Sequence, residues 1–182
     1  VFAQKTYVPD DKFEQALIAL GYDTTLDDSV LTANISGVTE LDVSKREISD
    51  LTGIEDFAAL GYLMCYSNQL TSLDMSKNTV LYALWCSDNQ LTSLDVSKNT
   101  ALTGLWCDGN QLTSLDVTKN TVLDRFWCSY NQLTSLDVSK NTSLTSLLCT
   151  SNQLTSLDVS KNTALMTLRC NSNQLTSLDV SK

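Results

Sequence analysis

The chain repeats itself every 21 residues, and this period constrains the fold more than any other feature of the sequence. The segment N-Q-L-T-S-L-D recurs at this interval, starting at Asn68, Asn89, Asn110, Asn131, Asn152 and Asn173. The full unit reads L-x-x-L-x-C-x-x-N-Q-L-T-S-L-D-V-S-K-N-T-x, and its copies begin at positions from Leu60 to Leu165. A fixed period of this length is typical of a solenoid, in which each repeat forms one coil and buries its apolar side against its neighbours.

Each unit contains two short stretches in which apolar and polar residues alternate. In the first stretch Leu84 and Cys86 are predicted to point inward, and Trp85 is predicted to point outward. In the second stretch Leu94 and Val96 are the inward residues. Alternation with period two indicates a half-buried strand. Two strands in 21 residues leave too little chain for a helix of ordinary length, so we expect two parallel sheets of short strands facing each other across a thin core.

The first half of the unit, L-x-x-L-x-C-x-x-N-x-L, resembles the leucine-rich repeat signature with Cys in place of one aliphatic residue. The second half repeats this spacing at Leu91, Leu94, Val96 and Asn99. The chain therefore resembles bacterial secreted leucine-rich repeat proteins of the nested 21-residue class, over residues 38–182. The first unit, residues 38–59, has 22 residues and resembles the longer first repeat of internalin-like proteins, with Arg46 where the motif has Asn.

This resemblance implies a leucine-rich repeat solenoid, mainly β, with a small α-helical N-terminal cap at residues 4–37. Asp10 or Asp11 is predicted to cap a helix, with Glu14 completing a capping box. The apolar stripe of this helix comprises Phe13, Ala16, Leu17 and Leu20. Gly21 is predicted to end the helix, and a second helical turn is expected near residues 26–33.

Both ends of the sequence bear on where the chain acts. Val1 and Ala3 fit the small-residue pattern of a signal-peptide cleavage site, so residues 1–3 are interpreted as a signal-peptide remnant and Gln4 as the mature start. The repeats end in mid-coil, and we expect the natural protein to continue beyond Lys182. These features predict an exported protein, either secreted or at the cell surface.

All the cysteines of the chain occupy one position of the repeat, at Cys65, Cys86, Cys107, Cys128, Cys149 and Cys170. An even number in an exported protein suggests disulfides. However, in-register neighbours on parallel strands do not offer the Cβ directions and torsion that a disulfide needs. A line of thiols in a chain without His is also not a tetrahedral metal cage. We therefore expect the cysteines to act as small apolar core residues, and we expect no metal site and no cofactor.

The outward position of the second strand carries an Asp column, and a Lys column follows three residues later. The Asp column comprises Asp42, Asp74, Asp95, Asp116, Asp137, Asp158 and Asp179. The Lys column comprises Lys45, Lys77, Lys98, Lys119, Lys140, Lys161 and Lys182. The two columns cancel in charge, and we expect a solvated polar face on which Lys neutralises Asp. Calcium binding by the Asp column or by residues 23–28 is the alternative, although neither has the spacing of a known calcium loop. The Thr and Ser rows also suggest ice binding, which the charged row weakens.

The outward positions around the first strand differ from copy to copy, whereas the rest of the unit is nearly constant. All three Trp lie there, and the small neighbours Ala83 and Gly104 are expected to leave the rings accessible. Outward apolar rows usually mark an interaction site, and Trp, Tyr, Met and Arg are enriched at binding hot spots. The candidate binding residues are Tyr62, Met64, Tyr66, Trp85, Trp106, Arg125, Trp127, Leu148 and Arg169.

Several functions compete for this face. A protein partner agrees with the family resemblance and with the mixture of side chains. A polysaccharide is the alternative ligand, since sugar faces stack on aromatic rings, but three rings at about 4.8 Å cover at most about two sugar units. Alternatively, the stacked rings only stabilise the sheet, and the chain is a structural spacer or scaffold for a missing domain.

Other classes of function are disfavoured by composition. The net charge of −9 argues against nucleic acid as a partner. No stretch approaches the roughly 18 apolar residues of a membrane span, so no membrane insertion is expected. The chain has no His for a catalytic relay and no Gly-rich phosphate loop, so we do not expect an enzyme.

Overall fold

A computed structural model describes residues 3–178 as an N-terminal cap followed by a stack of coils. Val1, Asp179 and Lys182, which take part in the predictions above, lie outside this range. The elements of the cap are β1 (Lys5–Tyr7), α1 (Asp11–Ala19), β2 (Ser29–Leu31) and α2 (Thr32–Ile35). The coils contribute β3 (Glu40–Asp42), β4 (Tyr62–Met64), β5 (Ala83–Trp85), β6 (Gly104–Trp106), β7 (Arg125–Trp127), β8 (Ser146–Leu148) and β9 (Thr167–Arg169). A 3₁₀ turn at Ile54–Asp56 lies within the first coil.

The strands β3 to β9 form one parallel sheet in chain order, and every repeat position stacks on the same position of the next coil. Trp85 pairs with Trp106 and Trp106 pairs with Trp127 in this register. Leu84 and Cys86 are completely buried, as are the matching residues of the coils on either side. This burial explains the period, because each coil covers the apolar edge of its neighbour. The expected fold class, a leucine-rich repeat solenoid, is confirmed.

The second alternating stretch of each unit differs from the prediction of a second sheet. In residues 3–178 it contributes one isolated parallel bridge, between Asp74 and Asp95. Val96 is still buried and Asp95 is still exposed, so the predicted inward and outward positions are correct. The N–H of Ser97 donates to Asp95 Oδ1 at 2.8 Å. The same bond recurs in the other coils. It does not by itself prevent pairing, because Asp42, the last residue of β3, accepts the same bond from Ser44.

Helix α1 begins at the predicted cap, but its acidic residues act differently from the prediction. Asp10 Oδ1 accepts the N–H groups of Lys12 and Phe13. The expected box between Asp11 and Glu14 is wrong, because buried Glu14 instead accepts three backbone N–H groups from residues 27–29. Gly21 ends the helix as predicted, with φ of 82°. This position is left-handed, which suits Gly.

Two further features of the cap were not predicted. Strands β1 and β2 pair antiparallel over residues 5–7 and 29–31, so part of the segment expected to be a helical turn is a strand. The turn itself lies slightly later, as α2. Leu20, predicted to belong to the apolar stripe, lies just after the last residue of α1 and is 40% exposed.

Two Asn ladders join the coils on either side of the core. In the first ladder, Asn89 Nδ2 donates to the carbonyls of Cys65 and Cys86, and its Oδ1 accepts the N–H of Leu70 in the preceding coil. Arg46 does not interrupt this ladder, because Asn68 of the next coil accepts its N–H at 3.0 Å. A second ladder, with Asn78, Asn99, Asn120, Asn141 and Asn162, donates to backbone carbonyls of preceding coils.

Helices are short throughout residues 3–178. None of the helices in these described residues is long and apolar enough to cross a membrane.

Candidate binding surface

The outward face of the sheet carries a continuous row of aromatic rings. Trp85 and Trp106 have ring centroids 5.0 Å apart, and Trp106 and Trp127 have centroids 6.1 Å apart. Both pairs meet edge to face, at 64° and 80°. Tyr62 extends the row, with its ring 6.4 Å from that of Trp85. We call this row the aromatic ladder, and its members are Tyr62, Tyr66, Tyr82, Trp85, Trp106 and Trp127.

Two glycines let rings of the ladder approach the backbone closely. A Cβ placed on Gly104 would overlap Cη2 and Cζ3 of Trp106. A Cβ on Gly61 would lie 2.6 Å from Cε1 of Tyr82. The prediction that small residues leave the rings accessible is therefore wrong for Gly104, because the missing Cβ lets the ring of Trp106 approach the backbone. Ala83 and Gly104 are buried, and Trp106 is half-buried.

Exposure is uneven along the ladder. Trp127 is 36% exposed and Tyr82 is 44% exposed, whereas Trp85 and Trp106 are partly buried. Trp127 Nε1 donates to Ser146 Oγ at 3.3 Å, which fixes the orientation of its ring. The solvent-exposed part of the ladder therefore consists of the Trp127 indole at one end, the Tyr82 ring at the other end, and the ring faces between them.

The nine predicted residues all lie on this outward face, but they do not all belong to the ladder. Five of them are rings of the ladder. Met64 and Leu148 continue its central column, as neighbours of Trp85 and Trp127 in register. Arg125 lies 3.7 Å from Asp124 as an ion pair. Arg169, on the last strand of the sheet, is exposed and lies beyond the rings.

The sequence-based prediction missed Tyr82. This residue precedes β5, and the prediction considered only positions within and after the strands. The ring of Tyr82 lies 6.2 Å from that of Tyr62, which brings it into the ladder. The signal was present in the sequence, because Gly61 occupies the matching position of the preceding unit and leaves room for a ring.

A partly buried carboxylate lies beside the Trp rows. Asp108 Oδ1 accepts the N–H of Ser129 at 3.0 Å, and its Oδ2 accepts the hydroxyl of Ser87 at 3.3 Å. Burial raises the pKa of Asp108 above its ordinary value. These contacts tie three adjacent coils together at the edge of the aromatic face, so we assign Asp108 a structural role.

The cysteine column lies in the core, as predicted. Five of the six thiols are buried, and Cys170 is partly exposed. Burial raises the pKa of Cys86 to about 12, and it raises the pKa of Cys149 to about 12. A thiol with such a pKa stays protonated at neutral pH and is a poor nucleophile and a poor metal ligand.

The acidic residues of the cap offer one grouping with metal-like spacing. Within residues 3–178, Glu14, Asp23 and Asp27 place carboxylate oxygens within 4.8 Å of one another. Protein donors already occupy two of the three groups. Glu14 accepts three backbone N–H groups, and Asp27 pairs with Lys5 at 2.9 Å.

The side chains of the Asp column are held by hydrogen bonds from nearby backbone N–H groups rather than by Lys. Each carboxylate accepts the N–H two residues later, at Asp74, Asp95, Asp116, Asp137 and Asp158. The prediction that Asp42 and Lys45 belong to these columns is wrong, because Asp42 lies in β3 of the first sheet and pairs in register with Met64. The bond from Ser97 holds the pKa of Asp95 below its ordinary value, and the nearby Lys98 adds a smaller effect. Asp95 and Lys98, both described, form no ion pair within 4.0 Å. The expected neutralisation by Lys is thus a minor contribution.

Comparison with known proteins assigns the fold to a bacterial group. No family model matches the sequence. Internalin J of Listeria monocytogenes serotype 4b is 43% identical over 73 residues, which are 40% of this chain and 8% of the relative. The solved functional domain of internalin J, which includes a cysteine ladder, is 37% identical with a TM-score of 0.79. That match covers 98% of this chain and 45% of the solved chain.

The chain is an internalin-like leucine-rich repeat protein. The structure of internalin C2 from Listeria monocytogenes, at 19% identity and a TM-score of 0.70 over 99% of this chain, shows the same fold. Internalin-like leucine-rich repeat domains are protein-interaction modules and are generally non-enzymatic. This internalin-like chain spans less than half the length of the internalin J domain and a small part of the curated relative.

Proposed function

We propose that the chain is a non-catalytic binding module that recognises a protein partner through the aromatic ladder. The observation that carries the proposal is a continuous row of six rings on the outward face, with Trp127 and Tyr82 substantially exposed at its ends. Contiguous apolar surface of this kind is unusual on a soluble protein unless it meets another molecule.

A purely structural role accounts for only part of the ladder. Edge-to-face pairs such as Trp85 and Trp106 contribute about 0.5–1.5 kcal/mol each beyond the area they bury, so the rings do stabilise the sheet. The exposed ring faces of Tyr82 and Trp127 add little to that stability. We therefore favour recognition over a spacer or scaffold role.

The tilt of the rings favours a protein over a polysaccharide. Stacking of consecutive sugars requires ring faces that lie parallel in one plane. Trp106 is tilted by 64° against Trp85 and by 80° against Trp127, so the three indoles do not form such a platform. A polypeptide partner, whose side chains project at different angles, fits alternately tilted rings better.

The proposal also places the chain outside the bacterial cell or on its surface. Internalin homologues are typically secreted or cell-wall proteins. Fractionation of the native host, with detection of the chain by antibody, should find it in the cell-wall or culture fraction. Detection in the cytosolic fraction alone would contradict this part of the proposal.

Binding can be tested with ring variants that leave the core intact. Trp127→Ala and Tyr82→Ala should each weaken capture of surface proteins and of the purified partner by about tenfold or more, as expected for hot-spot rings. Tyr7→Ala, which removes a 62% exposed ring from the cap, is the matched control and should bind like the parent.

A glycan array probed with the same variants covers the alternative ligand. If Trp127→Ala and Tyr82→Ala weaken binding to glycans, and the parent binds no protein, the ligand is a polysaccharide and not a protein. If neither Trp127→Ala nor Tyr82→Ala changes binding to any ligand, the aromatic ladder is not the site.

A further inference from the structure

We propose that the aromatic ladder is flanked by a subsite for a basic side chain of the protein partner, formed by Tyr130, Asp88 and the backbone of Gly109. The subsite rests on the proposed function of the ladder, because it receives one side chain of the same partner. The strained, exposed ring of Tyr130 and the unpaired carboxylate of Asp88 carry this assignment.

The subsite runs alongside the Trp column. Each of its residues follows an indole of the ladder by three positions, so that Asp88, Gly109 and Tyr130 correspond to Trp85, Trp106 and Trp127. The N–H of Asp88 donates to the carbonyl of Asp108 at 2.8 Å, and the N–H of Gly109 donates to the carbonyl of Ser129 at 3.0 Å. The three residues therefore stack in consecutive coils, within reach of a partner that contacts the indoles.

Tyr130 occupies a backbone conformation that suits a bulky residue poorly. Its φ is 55°, in the left-handed region, which is an outlier for a bulky side chain. The other 21-residue copies also have a left-handed backbone at this position, and they fill it with short side chains or none, at Ser67, Asp88, Gly109, Ser151 and Ser172. Strain of this kind is characteristic of functional sites.

Tyr130 has no structural contact that offsets this strain. Its side chain is 64% exposed. Among residues 3–178, its hydroxyl has no hydrogen-bond partner and its ring pairs with no other aromatic ring. Lys45, the matching residue of the first coil, differs, because its ammonium lies 5.4 Å from the centre of the Tyr66 ring. We therefore assign the benefit of Tyr130 to contact with another molecule.

An unpaired carboxylate lies on the same row. Asp88 is exposed and forms no ion pair within 4.0 Å with any described residue. Its side chain leans over Gly109, since a Cβ placed there would overlap Asp88 Oδ1. Gly109 puts no side chain between Asp88 and Tyr130, whose backbones are two coils and about 10 Å apart. The pKa of Asp108 is raised by burial and, as a smaller cause, by Asp88, so the negative potential extends toward the ladder.

A basic side chain satisfies both groups at once. The carboxylate of Asp88 attracts an ammonium or a guanidinium, and the face of a Tyr ring attracts the same cation within about 6 Å. The apolar stem of Lys or Arg can lie over the bare backbone of Gly109. The net charge of −9 also favours a partner with a basic surface. The occupant is therefore a Lys or Arg side chain of a protein.

Peptide selection supplies a probe without knowledge of the natural partner. A random library displayed on phage is selected on the parent chain and counter-selected on Trp127→Ala, so that enriched peptides occupy the ladder. We expect these peptides to carry Lys or Arg. Tyr130→Ser should weaken binding of a synthetic copy by about 2- to 5-fold, as a lost cation–π contact does, and Tyr130→Phe should retain more affinity. Asp88→Asn should weaken it by about 1.5- to 5-fold.

A double-mutant cycle tests the pairing directly. Norleucine in place of the Lys or Arg of the peptide keeps an apolar stem and removes the charge. The neutral peptide should bind the parent more weakly, and Asp88→Asn should weaken it no further, because the two groups act on each other. Asp95→Asn removes the same charge from the opposite face and is the matched control, which should bind both peptides like the parent.

Stability separates a binding role from a structural one. Tyr130→Ser installs the residue that position 151 carries in the next coil, and it removes a bulky side chain from a left-handed backbone. Its melting temperature should equal or exceed that of the parent while its affinity falls. A melting temperature below that of the parent would show that the ring supports the fold, which contradicts the subsite.

The outcomes distinguish the subsite from the proposed function. If enriched peptides need Trp127 but bind Tyr130→Ser and Asp88→Asn like the parent, the subsite is wrong and the binding role of the ladder stands. If Asp88→Asn binds no differently from Asp95→Asn, the assignment of a basic side chain is wrong. If no enriched peptide depends on Trp127, the proposed function is contradicted together with the subsite.

Discussion

At the scale of single residues, Gly104 and Trp106 show how the absence of one side chain positions a neighbouring ring on the surface. Residue 104 precedes the indole of Trp106 by two positions on the same face of β6. Because Gly104 has no Cβ, the ring lies against the backbone and contacts Trp85 and Trp127. Alternation predicts which face a side chain occupies, but it does not predict the side-chain torsions, so this seating was not visible in the sequence.

Gly104→Ala should lift the indole of Trp106 from the sheet. The new methyl group would overlap the ring, and the displaced ring would lose packing, so we expect a loss of about 1–2 kcal/mol in the free energy of unfolding. Acrylamide quenching of Trp fluorescence should rise, and denaturant unfolding gives the stability.

Gly37→Ala is the matched control, since a Cβ there meets nothing within 4 Å. If Gly104→Ala leaves both fluorescence quenching and stability at the values of Gly37→Ala, the ring does not rest on Gly104.

At the scale of one coil, the first Asn ladder explains why the unit tolerates change on its outward face. Asn110 Nδ2 donates to the carbonyls of Cys86 and Cys107, and its Oδ1 accepts the N–H of Leu91. These bonds satisfy buried backbone groups of two coils without using any outward side chain. The ladder was predictable from the repeat, because Asn occurs at one position in every copy.

Asn110→Ala should therefore be strongly destabilising. It leaves the buried N–H of Leu91 without a partner. The carbonyls of Cys86 and Cys107 keep a second donor, from Asn89 and Asn131. An unpaired buried group costs about 1–3 kcal/mol, so we expect a loss of about that size. Urea unfolding measures it, with the exposed neighbouring variant Gln111→Ala as control. Equal midpoints for the two variants would show that the ladder contributes little.

The second half of each coil shows where pattern alone fails. Alternation of Leu94, Asp95 and Val96 predicted a strand, and burial of the inward residues agrees with it. This stretch nevertheless forms only one isolated bridge among the described residues, between Asp74 and Asp95. Period-two patterning reports burial, and it does not report whether the backbones of neighbouring coils pair as strands.

At the scale of the whole molecule, the Asp column makes stability depend on pH. Hydrogen bonds from Ser and Thr hold the pKa of Asp74, Asp95, Asp116 and Asp137 below their ordinary value in the folded chain. As the pH falls, the unfolded chain therefore takes up protons first, which favours unfolding. The stability from these residues is complete above about pH 4 and is lost as the pH falls through their folded pKa values.

Thermal unfolding between pH 7 and pH 2 measures this dependence. We expect the melting temperature to fall below about pH 4. Asp95→Asn keeps an acceptor for the Ser97 N–H and should lose less stability on acidification than the parent. A melting temperature that rises on acidification below pH 4 would contradict the assignment. Asp108, whose pKa is raised by burial, acts in the opposite direction and limits the total effect.

The repeat made most of the molecule predictable, and the single-copy segments were the least predictable. Each coil position is specified several times over, so the inward cysteines and the outward Trp column follow from period and alternation. The pairing of β1 with β2 and the bonds of Glu14 join residues that occur once and lie far apart in sequence. The nine candidate residues share one face as predicted, and their role in binding stays a prediction.

The central claim is that the aromatic ladder is the surface that meets the partner. A crystal structure of the chain bound to its captured protein partner tests it most directly. We predict an interface centred on Trp106 and Trp127, with partner side chains against the exposed ring faces. An interface on the opposite, Asp-bearing face of the solenoid, with the rings left in solvent, would contradict the claim.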